Sequence, residues 1–304
     1  MELQIRNLSK TYPNGVQALK NVNLTIPTGM FGLLGPNGAG KSSLMRTIAT
    51  LQEADSGSIF LDDLDVLNQK EEVRKVLGYL PQEFGVYPKV SAEELLDHFA
   101  VLKGIHNKKE RKAVVESLLQ QTNLYEVRKK NLGGYSGGMK QRFGIAQALL
   151  GDHKIIIVDE PTAGLDPAER NRFHNLLCEI GEERVVILST HIVSDVSDLC
   201  RQMAIINKGE VLLTGDPLRV MDDLNGRIWK KLISKEELLE HQLAHNVISS
   251  RLFAGKTLVH VYSESQPDFG FAAVRPDLED VYFAQISSAA HNPAMSEVIN
   301  AMEK

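Results

Sequence analysis

Residues 3–8 (LQIRNL) and 16–26 (VQALKNVNLTI) alternate apolar and polar positions, as strands with one buried face do. Between them, YPNG at 12–15 is a turn cluster whose Asn14-Gly15 pair suits a hairpin. A third apolar stretch, MFGLL at 30–34, runs into a glycine-rich loop and then a helix-competent segment, SSLMRTIATL. Residues 91–103 (SAEELLDHFAVLK) open with Ser91 and Glu94, the pair of a capping box, and continue at helical spacing. Residues 110–121 (ERKAVVESLLQQ) follow the same pattern, so the stretch from about 85 to 150 is expected to be mostly helical. Beyond it, KIIIVDE (154–160) and RVVILST (184–190) are continuously apolar, with a helix expected over Pro167–Ile180 between them. Strands without alternation are buried on both faces, which predicts a parallel sheet covered by helices.

The character of the chain changes near Asp216–Asn225. After it the pattern predicts a strand (RIWKKLIS), a helix (KEELLEHQL), two strands (VISSRLF and TLVHVYS) and a last helix from about Asp277. The expected organisation is therefore an α/β domain over 1–220 and a small α+β unit over 221–304.

Composition narrows the function. Of 304 residues, 43% are hydrophobic and 24% charged, enough for a sizeable core, and the net charge is −5. Nucleic-acid binding rests on phosphate contacts and a basic face. The basic clusters Lys108–Lys112 and Arg128–Lys130 are short and read as solvated helix faces, the alternative being a minor role in docking to a membrane partner, so no nucleic-acid partner is expected. Cys178 and Cys200 lack metal-like spacing and are expected to be buried, reduced thiols of a cytosolic protein. The start, MELQIRNLSK, lacks the apolar core of a signal peptide, and the longest strongly apolar run is IIIV at 155–158. Work at a membrane would need another chain to supply the span.

The strongest chemical signal is GPNGAGKS at 35–42, of the form G-x-x-x-x-G-K-[ST]. A nucleotide's phosphates are crowded and anionic, so backbone N–H groups must approach closely, which glycine permits. The helix that follows presents its positive end to the same charge. Gly35, Pro36, Asn37, Gly38, Ala39, Gly40, Lys41, Ser42 and Ser43 are the expected cradle. Lys41 is placed to reach the outer phosphates and the Ser42 hydroxyl to reach Mg²⁺. IIIVDEP at 155–161 ends a buried strand in two acids, and carboxylates at the C-terminal end of a parallel strand face the ligand crevice. Asp159 is expected to hold Mg²⁺ through water, and Glu160 to polarise an attacking water.

YSGGMKQR at 135–142 completes a pattern. With GPNGAGKS and VDEP it resembles the ABC ATPases, whose signature reads LSGGQ, over roughly residues 1–220. The resemblance implies a P-loop NTPase cassette with an antiparallel β-subdomain and a helical subdomain at about 85–150, carrying a small C-terminal α+β extension. It also implies that Ser136, Gly137 and Gly138 face the γ-phosphate bound to a second cassette. Gln82 stands where the family has its Mg²⁺-sensing Q-loop glutamine, beside the membrane partner. AGLD at 163–166 looks like the D-loop, with Asp166 at the dimer contact. His191 matches the switch histidine, the alternative being a structural histidine at a strand end. Tyr12 matches the aromatic that stacks on adenine, the alternative being a hairpin core residue. The chain departs from the signature at Tyr135 and Met139, and the missing Gln removes one polar contact across the dimer.

By resemblance, the chain is an ATP-hydrolysing motor using ATP and Mg²⁺, with Lys41, Glu160 and His191 at the chemistry. It pairs head to tail with a second cassette, as a homodimer, and works with a separate polytopic permease from the cytoplasmic face of the cell membrane. The YSGGM signature and PDLEDVYF at 276–283 are similar to the exporter branch for drugs, antibiotics and lipids; PDLEDVYF reads equally as an ordinary capped helix. The competing readings are a soluble ABC ATPase acting on ribosomes or DNA, and an importer motor.

Overall fold

The computed structural model describes residues 1–82, 84–162 and 165–287. The first alternating run becomes β1 (Glu2–Thr11), paired antiparallel with β2 (Gln17–Pro27). The YPNG turn closes between them, with the Tyr12 N–H donating to the Val16 carbonyl and the Gly15 N–H to the Tyr12 carbonyl, both at 2.9 Å. β3 (Gly29–Leu34) leads through the glycine loop into α1 (Lys41–Ile48). β4 (Ser56–Leu61) and β5 (Leu64–Asp65) then complete a four-stranded antiparallel sheet of order β2-β1-β4-β5. Leu3, Ile5 and Leu8 on β1 and Leu24 and Ile26 on β2 face the core, the buried half of the alternation.

α2 (Lys70–Val76) and β6 (Leu77–Leu80) precede the helical stretch. There α3 (Ala92–Leu102) begins with the expected reciprocal capping box of Ser91 and Glu94. α4 (Lys108–Gln121) starts two residues before the expected 110–121, because Asn107 caps the N–H groups of Lys109 and Glu110. α5 (Gly137–Ala148) closes this region.

β7 (Ile155–Asp159), α6 (Pro167–Gly181), β8 (Val185–Thr190), α7 (Val193–Leu199), β9 (Gln202–Asn207) and β10 (Glu210–Gly215) follow. The second sheet has the order β10-β9-β3-β8-β7-β6, and the pairs of β3 with β8 and β9, and of β7 with β6 and β8, are parallel. Every residue of β7 and β8 is buried, the reason neither alternates. Cys200 is buried as expected. Cys178 is not: it is exposed on α6, one residue past the buried Leu177 and so rotated to the helix's outer side. Both are free thiols.

The chain divides into two compact units, Met1–Val211 and the residues from Leu212 onward. The second contains α8 (Pro217–Asp222), β11 (Ile228–Ile233), α9 (Leu238–Ala244), β12 (Val247–Phe253), β13 (Lys256–Tyr262) and β14 (Ala272–Ala273). A helix over 278–287 ends its described part. Its sheet is antiparallel, of order β12-β13-β11-β14, over a core of Ile233, Val259, Val261 and Phe271.

Candidate functional site

The glycine loop hangs between the end of β3, in the middle of the parallel sheet, and the first turn of α1. Gly40 takes φ +108 there, and a Cβ on it would lie 2.5 Å from the Ala18 carbonyl oxygen. Gly38, at φ +79, has open space around it, so its backbone can be approached. Lys41 is only 6% exposed and curls back over the loop, its Nζ donating to the Gly35 carbonyl at 2.6 Å and the Pro36 carbonyl at 3.2 Å. Burial lowers its pKa, against the opposing charges of Glu160 and Asp159. The loop thus holds one desolvated cation facing two carboxylates.

Asp159 ends β7 at 5% exposure, and burial raises its pKa, with the Glu160 charge adding to the effect. A divalent cation suits such a site, because its charge would offset both the burial and the neighbouring carboxylate. Glu160 sits at φ +49, a left-handed conformation that is unfavourable for a non-glycine residue. Its N–H donates to the Ser189 carbonyl at 2.8 Å, tying it to the neighbouring strand. Its carboxylate is approached from two sides: Oε1 lies 3.0 Å from His191 Nδ1, an ion-pair approach without hydrogen-bond geometry, and Oε2 accepts from Gln82 Nε2 at 3.2 Å. Three residues expected from separate motifs therefore meet at one group.

A cavity of about 520 Å³ is lined by Tyr12, Asn37 through Ser43, Gln82 and Glu160. Gly35, Pro36, Asp159 and His191 are not among its lining residues; Gly35 and Pro36 accept from Lys41, Asp159 precedes Glu160, and His191 Nδ1 lies 3.0 Å from Glu160. Sequence reasoning missed Val16, Gln17, Ala18, Lys20 and Lys208, which share the lining. Lys208 belongs to the Asn207-Lys208-Gly209 turn, and only the sheet order brings that turn to the loop, where the Gly209 N–H donates to the Ala39 carbonyl at 2.9 Å. The cavity suits a ligand with a flat end near Tyr12 and an anionic end on the loop. Ser42 is exposed at the start of α1, and its hydroxyl and the Asp159 carboxylate are hard oxygen donors, the type that suits Mg²⁺.

The signature residues line a different surface. Ser136 caps α5 by accepting from the Met139 N–H at 3.2 Å. Gly137 is exposed with open space beside it, and Gly138 is buried. Tyr135, the departure from Leu, is 5% exposed and donates to the Val127 carbonyl at 3.0 Å, so the larger side chain is fully accommodated. Asp166 caps α6 through the Glu169 N–H at 2.8 Å and is exposed. Of the other residues of that run, Ala163 and Gly164 lie outside the described residues.

Comparison with known proteins agrees with this geometry. Residues 19–163 match the family described as ABC transporter. Over 203 residues the chain is 38% identical to the ABC transporter ATP-binding protein NatA of Bacillus subtilis (strain 168), covering 66% of this chain and 82% of that one. The chain belongs to the ABC transporter ATP-binding family. The cassette is also 30% identical over 303 residues to the probable multidrug ABC transporter ATP-binding protein YbhF of Escherichia coli (strain K12). That alignment takes in 94% of this chain but 52% of YbhF, so the chain spans about half the length of that relative. A solved structure, a dimeric post-hydrolysis state of an ATP-binding cassette bound to ADP and Pi, superposes with a TM-score of 0.65 at 27% identity. The match covers 70% of this chain and 98% of the solved chain. No helix among the described residues is long and apolar enough to cross a membrane.

Proposed function

We propose that this cassette hydrolyses ATP to drive an ABC exporter. The observation that carries the reading is the Glu160 carboxylate, which lines the cavity of the glycine loop, accepts from Gln82 and lies 3.0 Å from His191 Nδ1. In-line phosphoryl transfer asks a protein chiefly for position and charge neutralisation. The loop from Gly35 to Gly40, with Ser43, cradles the phosphates through the backbone N–H groups of all these residues except Pro36, which has none, and Lys41 turns from its loop carbonyls to the outer phosphates. Ser42, Asp159 and Gln82 hold Mg²⁺, which neutralises phosphate charge when bound. Glu160 orients the attacking water and His191 supports the γ-phosphate. Tyr12 faces the adenine.

Ser136, Gly137 and Gly138 do not line the cavity of their own chain, which supports action in trans, with Asp166 at the contact. Two copies then close head to tail around two nucleotides; the dimeric ADP-bound cassette that superposes on this one supports that arrangement. A separate membrane-spanning permease binds the pair at the cytoplasmic face. The export direction rests on the multidrug description of YbhF, whose match runs through both units. We divide the chain into a cassette over 1–220 and an extension over 221–304, since β10 hydrogen-bonds into the parallel sheet.

The test is Glu160→Gln. The wild-type chain should turn over Mg-ATP, and the variant should lose at least about a hundredfold in rate while binding ATP and eluting as a dimer. Near-normal hydrolysis by the variant refutes the role of Glu160. Affinity capture of the ATP-bound variant from detergent-solubilised membranes should recover a polytopic protein; ribosomes or DNA-bound proteins instead would point to a soluble ABC ATPase.

A further inference from the structure

The segments that carry Glu160 and His191 meet a second time, behind the site, on a carboxylate that belongs to none of the motifs. Asp195, in the first turn of α7, has no exposed surface. Its Oδ2 accepts from the Thr162 hydroxyl at 2.6 Å. Its Oδ1 accepts from Arg170 Nε at 2.8 Å and Nη2 at 2.5 Å, and lies 3.0 Å from His174 Nε2. Arg170 Nη2 reaches the Ser194 hydroxyl as well, at 2.8 Å. Thr162, itself 3% exposed, stands just past Glu160-Pro161; Ser194 and Asp195 stand on the helix that follows His191; Arg170 and His174 lie on α6, which Asp166 caps.

The energetics make this junction stiff. Burial would raise the pKa of Asp195, but the bonds from His174, Thr162 and Arg170, with the Arg170 charge, outweigh it and leave the group below its ordinary range. A buried anion stays ionised only while its donors stay in place, so losing one partner is costly and the three segments move together. Nearby, Glu160 keeps an unfavourable left-handed backbone, which needs such outside restraint.

We propose that Asp195, through Thr162, is a positioning residue for hydrolysis: it locks the backbone after Glu160 to the helix after His191 and so preserves the contact between those two side chains. The inference rests on the reading of Glu160 as the water-orienting group.

Thr162→Val tests it, because this change removes the Oδ2 bond at nearly constant volume and leaves Arg170 and His174 in place. We expect kcat to fall at least about tenfold while KM for ATP and the affinity for a fluorescent ATP analogue stay within about twofold; Thr162→Ser should restore kcat to within about threefold. Amide exchange on the same nucleotide-free proteins should show protection lost in Thr162→Val at both 159–162 and 190–193, and kept in Thr162→Ser. A kcat within about twofold of wild type, or protection lost around 159–162 alone, would overturn the proposal. An inactive wild-type chain would instead overturn the hydrolytic reading, and the exchange pattern would still decide whether the two segments are coupled.

Discussion

The carboxylate of Glu169 fills the space where a side chain on Gly138 would stand. A Cβ built on Gly138 would lie 1.6 Å from Glu169 Oε2. The other carboxylate oxygen pairs with Arg142 Nη2 at 3.1 Å, with the two side chains 20% and 16% exposed. Arg142 also donates through Nη1 to the Asn123 carbonyl at 3.0 Å, just past α4. The second signature glycine is therefore needed inside its own chain, to let α5 and α6 approach, whatever binds outside.

Gly138→Ala should displace Glu169 rather than break the helix, because the carboxylate ends a flexible side chain and can swing aside. The loss is then the Arg142 ion pair, about 1 kcal/mol. In a Glu169→Ala background the same substitution should cost almost nothing beyond the first change, giving a coupling of about 1 kcal/mol in a double-mutant cycle. Urea unfolding of the four proteins measures it. Additive costs would show that the two residues do not share this space.

Most of the fold was legible where the pattern was strong and local. The β1–β2 alternation, the Ser91–Glu94 capping box and the fully buried β7 and β8 all follow from residue period and caps. Residues 56–80 were not: β4, β5, α2 and β6 are short elements, and β4 and β6 are defined by pairing with β1 and β7, distant in sequence. The same limit applied to the site. Motifs marked the loop and the acid pair, since those functions need particular residue types. Lys208 and Asp195 have no such mark; the first reaches the cavity only through the position of β9 in the sheet, and the second is one acid among many until its four donors are seen. Cys178 shows the reverse case, a residue type usually buried that helical phase turns outward.

His153 should make stability fall in mild acid. It is 2% exposed, and its Nε2 lies 3.3 Å from Lys103 Nζ, which can only donate, so Nδ1 carries the proton and is buried with no partner among the described residues. Burial, then the charges of Lys103 and Arg184, lowers its pKa from 6.5 to about 4. The unfolded chain takes up this proton near 6.5 and the folded chain only near 4. Stability from this group is thus complete above the upper value and lost as pH falls toward the lower one. The loss should reach about 2–3 kcal/mol by about pH 4.5. His153→Leu removes the titration. The drop in unfolding free energy between neutral pH and that point should be smaller in the variant by this amount, and equal drops would mean that His153 titrates normally.

Tyr12 separates two roles that its position allows. Its hydroxyl is bonded to Ser43 Oγ at 3.0 Å and to Gln52 Oε1 at 2.8 Å, which tethers it to α1 and the segment beyond, while the residue lines the cavity. If the ring stacks on adenine, Tyr12→Phe keeps the stacking face and should bind a fluorescent ATP analogue within about threefold of wild type, while Tyr12→Ala should lose about tenfold, the scale of one base–aromatic contact. If the hydroxyl tether is what orders the cavity, Phe and Ala should weaken binding alike. The stacking role predicts a further asymmetry: the loss in Tyr12→Ala should be much smaller for inorganic triphosphate, which has no base, than for the nucleotide. Competition titrations with both ligands decide it, and equal losses for the two would remove Tyr12 from adenine recognition.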